Sequence, residues 1–167
     1  MHPEDRNPPN TAELEAAIPH LAFEQAAMRS SASCLATPGA RFAFEAFLVH
    51  VRVLRAFYFD QWSSASRWAE STIVAELYCR NPADWRTVKA SKKTPRLQAT
   101  KDPIDKQLAH LTKERAQAFT DLQASVGSLQ QELESLWDHF VTTLAKERDV
   151  EPFRRALAEK CLELGCP

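Results

Sequence analysis

Glycine is scarce in this chain, with three in 167 residues, and the Asn-Gly or Asp-Gly pairs that close tight hairpins are missing. That scarcity excludes an all-β fold built on many tight turns. Nor is there an apolar run of the ~20 residues a membrane helix needs. The stretch 42–59 is broken by Glu45, His50, Arg52 and Arg55 and reads as a buried helix. The start, Met1-His2-Pro3-Glu4-Asp5, lacks the basic and apolar segments of a signal peptide, so a cytoplasmic location is expected. Zinc-type Cys-x-x-Cys spacing is absent. Cys34, Cys79, Cys161 and Cys166 read as unpaired thiols in a reducing compartment. There is also no Gly-rich phosphate loop, no Gly-x-Ser-x-Gly elbow and no His-Glu-x-x-His segment. Standard nucleotide-binding and hydrolase chemistry is thereby set aside, and no cofactor is implied.

What is present is the mixture of an ordinary globular protein, 26% charged and 44% hydrophobic, at a size that suits one domain. Residues 1–12 are rich in proline and without apolar periodicity, and are expected to be a disordered leader. Residues 13–167 are expected to form a single helical domain.

Apolar residues then recur at three- and four-residue steps. Leu14, Ile18, Leu21, Phe23, Ala27 and Met28 predict a first helix, kinked or restarted at Pro19 and ending near residues 33–36. Thr37-Pro38 looks like a cap and first residue of a central core helix. Its apolar face is Phe44, Phe47, Leu48, Val51, Leu54 and Tyr58. A short helix is expected over 71–79, closed by Asn81-Pro82, and a long basic loop with at most one helical turn over 80–100. Asp102 and Pro103 then start a helix with Ile104, Leu108 and Leu111 inward, bending near Thr120. Leu129, Leu133, Leu136, Trp137, Phe140 and Leu144 mark another helix; Phe153, Leu157, Cys161 and Leu164 mark the last. The expected architecture is all-α, an antiparallel bundle of four to six helices.

Charge is unevenly spread. Residues 80–115 hold ten Lys or Arg against four Asp or Glu, a local +6, while the remainder carries −7. Arg86, Lys89, Lys92, Lys93, Arg96 and Lys101 form a candidate nucleic-acid surface, since phosphate contacts require positive side chains and no special fold. The same residues would also serve as a solvated surface or meet the acidic half of a second subunit.

Among groups that titrate near neutrality, His110 lies one helical turn from both Lys106 and Glu114, a placement suited to acid-base work. His50, with Arg52 nearby, stands on the central helix as a second polar centre or a hydrogen-bonded core residue. His50, His110 and His139 fall on three helices, so a metal-dependent bundle enzyme is a further reading, although the Glu-x-x-His motif of di-iron bundles is missing.

The segments Phe44-Glu45-Ala46-Phe47-Leu48-Val49-His50-Val51-Arg52 and Ile104-Asp105-Lys106-Gln107-Leu108-Ala109-His110-Leu111-Thr112 resemble a group of bacterial helical proteins akin to HEPN domains. The resemblance spans roughly residues 40–115. It implies a HEPN-like bundle, often homodimeric, of the kind found in toxin–antitoxin and phage-defence systems, whose active members cut RNA with an arginine and a histidine on one helix. Carried over, it implies a metal-independent ribonuclease with His110 as general acid or base and Lys106 or Arg115 on the phosphate. The chain departs from the pattern where the basic residue ahead of His110 is lysine, which lacks the bidentate fork of arginine. Two expectations stand side by side: an RNA-associated protein, or a non-catalytic module that pairs with itself or a protein partner and stays off the membrane.

Overall fold

The computed structural model describes residues 7–36, 40–64, 66, 72–109 and 124–166. Helices α1 (Thr11–Ser33), α2 (Ala40–Phe59), α3 (Pro82–Lys92), α4 (Pro95–Ala99), α5 (Lys101–Ala109), α6 (Val126–Leu144) and α7 (Glu151–Glu163) are joined by short 3-10 turns at Cys34–Ala36 and Ala75–Tyr78. Among the described residues there is no strand. The all-α bundle expected from the sequence is what forms, and no helix of the described residues is long and apolar enough to cross a membrane.

α1 begins inside the stretch expected to be leader. Asn10 closes a capping box: its side chain accepts from the Glu13 amide at 3.1 Å, and the Glu13 carboxylate accepts from the Asn10 amide at 2.7 Å. Pro19 sits inside one continuous helix rather than dividing it.

Two segments differ from the sequence reading. Residues 80–100, expected as a loop, form α3 and α4, because Asn81-Pro82 opens a helix instead of closing one. The Asn81 side chain accepts from Ala83 N at 3.2 Å, and Thr94, ahead of Pro95, does the same for Leu97 at 3.1 Å. Of the helix expected over 71–79, the described residues 72–79 are helical only at the turn Ala75–Tyr78. Val74 ahead of it is extended, in keeping with the β-branched run Thr72-Ile73-Val74. The expected Thr37-Pro38 cap and the bend near Thr120 lie outside the described residues.

The core is where periodicity placed it. All six residues of the α2 face are fully buried, and the six named on α6 are buried as well. Phe140 stands at the centre, with the rings of Phe57, Tyr78, Trp85 and Phe153 meeting it edge-on at 5.3 to 5.7 Å. Each such pair contributes about 0.5–1.5 kcal/mol beyond area burial. The Trp85 indole donates to Tyr58 O at 2.9 Å and the Tyr78 hydroxyl to Leu14 O at 2.9 Å, so both polar tips are satisfied. Phe23, one of the residues in the α1 pattern, is 40% exposed.

α1 lies between α2 and α7. It runs antiparallel to α2, with Glu24 beside His50 and Ala17 near Ala56. With α7 it is parallel: Ile18 shares a cleft with Phe153, while Ser30 reaches Leu164 at 2.9 Å.

Candidate functional site

The basic segment is the first place where tertiary structure reassigns residues. Glu76, only 2% exposed, accepts from Arg86 Nε at 2.8 Å and from the Trp62 amide at 3.0 Å. Lys89 Nζ lies 4.0 Å from the same carboxylate and donates to Phe59 O at 3.2 Å and Asp60 O at 3.4 Å. Burial alone would raise the Glu76 carboxyl. Arg86, the Trp62 amide and Lys89 outweigh it, and the group is held below its ordinary range. Burial in turn lowers the Lys89 ammonium despite the attraction of Glu76. Lys89 thus ties α3 to the end of α2, and Arg86 ties it to Glu76 on the turn Ala75–Tyr78. Arg96 is likewise engaged, 3.2 Å from Glu132 on α6. Of the six residues read as a phosphate track, Lys92, Lys93 and Lys101 have no ion pair among the described residues.

His110 and Arg115 lie outside the described residues. Lys106 is placed by its backbone on α5, and its side chain is not described. The two segments that carry the HEPN resemblance nevertheless meet: Arg52 Nε on α2 lies 2.8 Å from Asp105 Oδ1 on α5, the residue before Lys106.

His50 is partly buried. Its Nδ1 is 2.7 Å from Glu24 Oε2, and Phe23 meets the ring edge-on at 5.8 Å. On α6, His139 Nδ1 is 2.6 Å from Ser135 O. One ring nitrogen of each is therefore taken by a protein partner. Among the described residues no group of three or more His, Cys, Asp or Glu is gathered as metal ligands would be.

A groove of about 670 Å³ opens between α1 and α2, within the volume range of ligand and peptide sites. Its floor includes Leu21, Val53, Ala56, Phe57 and Ile73, and His20, Glu24, Arg52 and Asp60 also line it. Alongside runs an apolar stripe that takes no part in the core-facing periodicity of α2. Phe42, Ala46, Val49, Val53 and Ala56 follow one another at four- and three-residue steps on the α2 face opposite the core. Phe42 is 79% exposed, Val49 44% and Val53 42%. The signal was in the sequence: α2 is apolar on both faces, which a helix half-covered by its own domain does not require.

No protein-family model, no curated protein and no solved structure matches this chain.

Proposed function

We propose that this chain is a non-catalytic helical interaction module, and that its partner is a second copy of itself docked on the outer face of α2. The observation that carries this reading is the exposed stripe. Single apolar residues on a surface are ordinary, but five at heptad spacing on one face form a seam of the kind that pairs helices. The seam is also self-complementary. Two α2 helices set antiparallel about Val49 lay Phe42 of one copy over Ala56 of the other and Ala46 against Val53, large against small. The same register brings Glu45 of each copy towards Arg52 of the other.

Sedimentation equilibrium across a concentration series tests it. The wild type is expected at dimer mass, and Val49→Glu, which sets two carboxylates face to face on the twofold axis, at monomer mass with unchanged helix content. A wild type that stays monomeric at every concentration overturns the reading.

The second reading is a HEPN-like, RNA-associated protein of toxin–antitoxin or phage-defence type. Favouring it is the Arg52–Asp105 contact, which joins the two resembling segments and sets a guanidinium beside the helix that carries Lys106. Cleavage of labelled single-stranded RNA by the wild type and its loss in His110→Ala would establish this ribonuclease. Absence of both cleavage and salt-sensitive binding would discard it.

A further inference from the structure

The C-terminal end of α7 brings together two thiols that their sequence spacing does not announce. Leu164 is the C-cap of α7, and Gly165 follows in the left-handed conformation at φ 62°. Cys166 N then donates to Cys161 O at 2.9 Å, and Gly165 N to Leu162 O at 3.4 Å. This is the Schellman arrangement, in which the residue just past the glycine folds back over the one five positions earlier. That fold-back frequently brings two apolar side chains into contact. Here both positions are cysteine, brought together by the Cys166 N to Cys161 O bond, and Cys161 is near enough to help push the Cys166 thiol up. Both are half-exposed, Arg29 Nη1 of α1 donates to Cys161 Sγ at 3.8 Å, and Cys166 Sγ donates to Ala26 O at 3.2 Å.

We infer that Cys161 and Cys166 form a dithiol site that closes reversibly to an intrachain disulfide when it meets a low-molecular-weight disulfide. Cys161 is the attacking group, since its sulfur faces the Arg29 guanidinium, while the Cys166 thiol is turned onto the Ala26 carbonyl. It loses its proton to solvent and attacks one sulfur of the oxidant. The oxidant's S–S bond breaks, one thiolate departs and is protonated, and a mixed disulfide is left on Cys161. Cys166 then loses its proton to solvent and attacks Cys161 Sγ, expelling the second thiolate. Two cysteines are oxidised and one disulfide is reduced to two thiols. The second step is the slower one at neutral pH, because burial and the hydrogen bond to Cys161 push the Cys166 thiol up to about 11. Closure also removes the S–H that Cys166 donates to Ala26, while the bond from Ser30 to Leu164 O, between α1 and the end of α7, does not depend on either thiol.

The other cysteines provide internal controls. Cys34 is exposed, whereas Cys79 is buried, with its thiol pushed up to about 12 by burial and then by Glu147 and Asp84.

The test is to incubate the full chain with oxidised glutathione at pH 8, alkylate the remaining thiols, digest with trypsin and weigh the peptide 161–167. It is expected unalkylated and lighter by two hydrogens than its dithiol form, with the dithiol restored by dithiothreitol. Gly165→Ala is expected to slow closure several-fold, because alanine resists the left-handed turn. Recovery of the wild-type peptide with both cysteines alkylated, or with glutathione on either one and no internal bond, while Cys34 takes up glutathione, overturns the inference.

Discussion

Replacing Glu76 with glutamine separates a structural clasp from a nucleic-acid surface. The substitution keeps the shape of the side chain and removes its charge. Arg86 is half-exposed and returns to water at little cost, but Lys89, 9% exposed, is left with its ammonium against two carbonyls and with Asp60, beyond ion-pair distance, as its remaining attraction. Losing one charged partner at a buried site costs about 1–3 kcal/mol. For a chain of this size that corresponds to a fall in Tm of roughly 2–12 °C. Adding Lys89→Met removes the orphaned charge, so the double variant is expected to regain part of the loss. The effect also carries a pH signature. The carboxyl of Glu76 is held below its unfolded value, so its contribution is complete above the ordinary Glu range, near pH 4.3, and is lost as pH falls through the lower, folded value. Circular-dichroism melts of wild type and Glu76→Gln from pH 7 down to pH 3 therefore have a gap that narrows towards acid, with the other carboxylates cancelling in the difference. Equal melting at pH 7, or a gap that stays constant through the acid range, would refute the clasp.

Three further outcomes can be checked on the same material. Phe140→Ala empties the meeting point of four aromatic rings and is expected to cost about 3–5 kcal/mol in urea unfolding. Asn10→Ala removes the capping box of α1 and is expected to cost about 1 kcal/mol, with hydrogen exchange faster in the first turn and little changed in α6. At pH 8 the native Cys79 thiol, pushed up to about 12, should resist iodoacetamide for hours and be alkylated at once in denaturant.

Periodicity carried most of the fold. α2 and α6 were readable because large apolar side chains at helical steps leave little choice of which face turns inward, and those faces are buried. α3 and α4 were missed because their interior rests on Trp85 and Leu97 with polar residues between, too few anchors to register as a period. The pairs Asn81-Pro82 and Thr94-Pro95 fit the start of a helix, and the first was read as the end of one. The site was less legible because its contacts join residues distant in sequence. Nothing near Glu76 marks it as buried, and Glu24 lies 26 positions from His50. A count of basic residues cannot separate Lys89, enclosed by carbonyls, from Lys93 at the surface. The cysteine pair escaped for a different reason. It is local, but its spacing belongs to a helix terminus rather than to a metal motif.

The parallel pairing of α1 with α7 sets the order in which the domain can be completed. α1 and α2 are neighbours in sequence and can zip as a hairpin early, yet the flank of α1 that carries Ile18 and faces Phe153 has nothing to rest on until residues 151–163 have been made. Contacts spanning more than a hundred residues close slowly, because the loop entropy is spent before the contact forms. A nascent chain released short of α7 would carry a half-covered hairpin whose bare flank attracts chaperones or other unfinished copies. The first helix to appear is thus the last to be sheltered, and the yield of folded protein should depend on how quickly synthesis runs from residue 34 to residue 163.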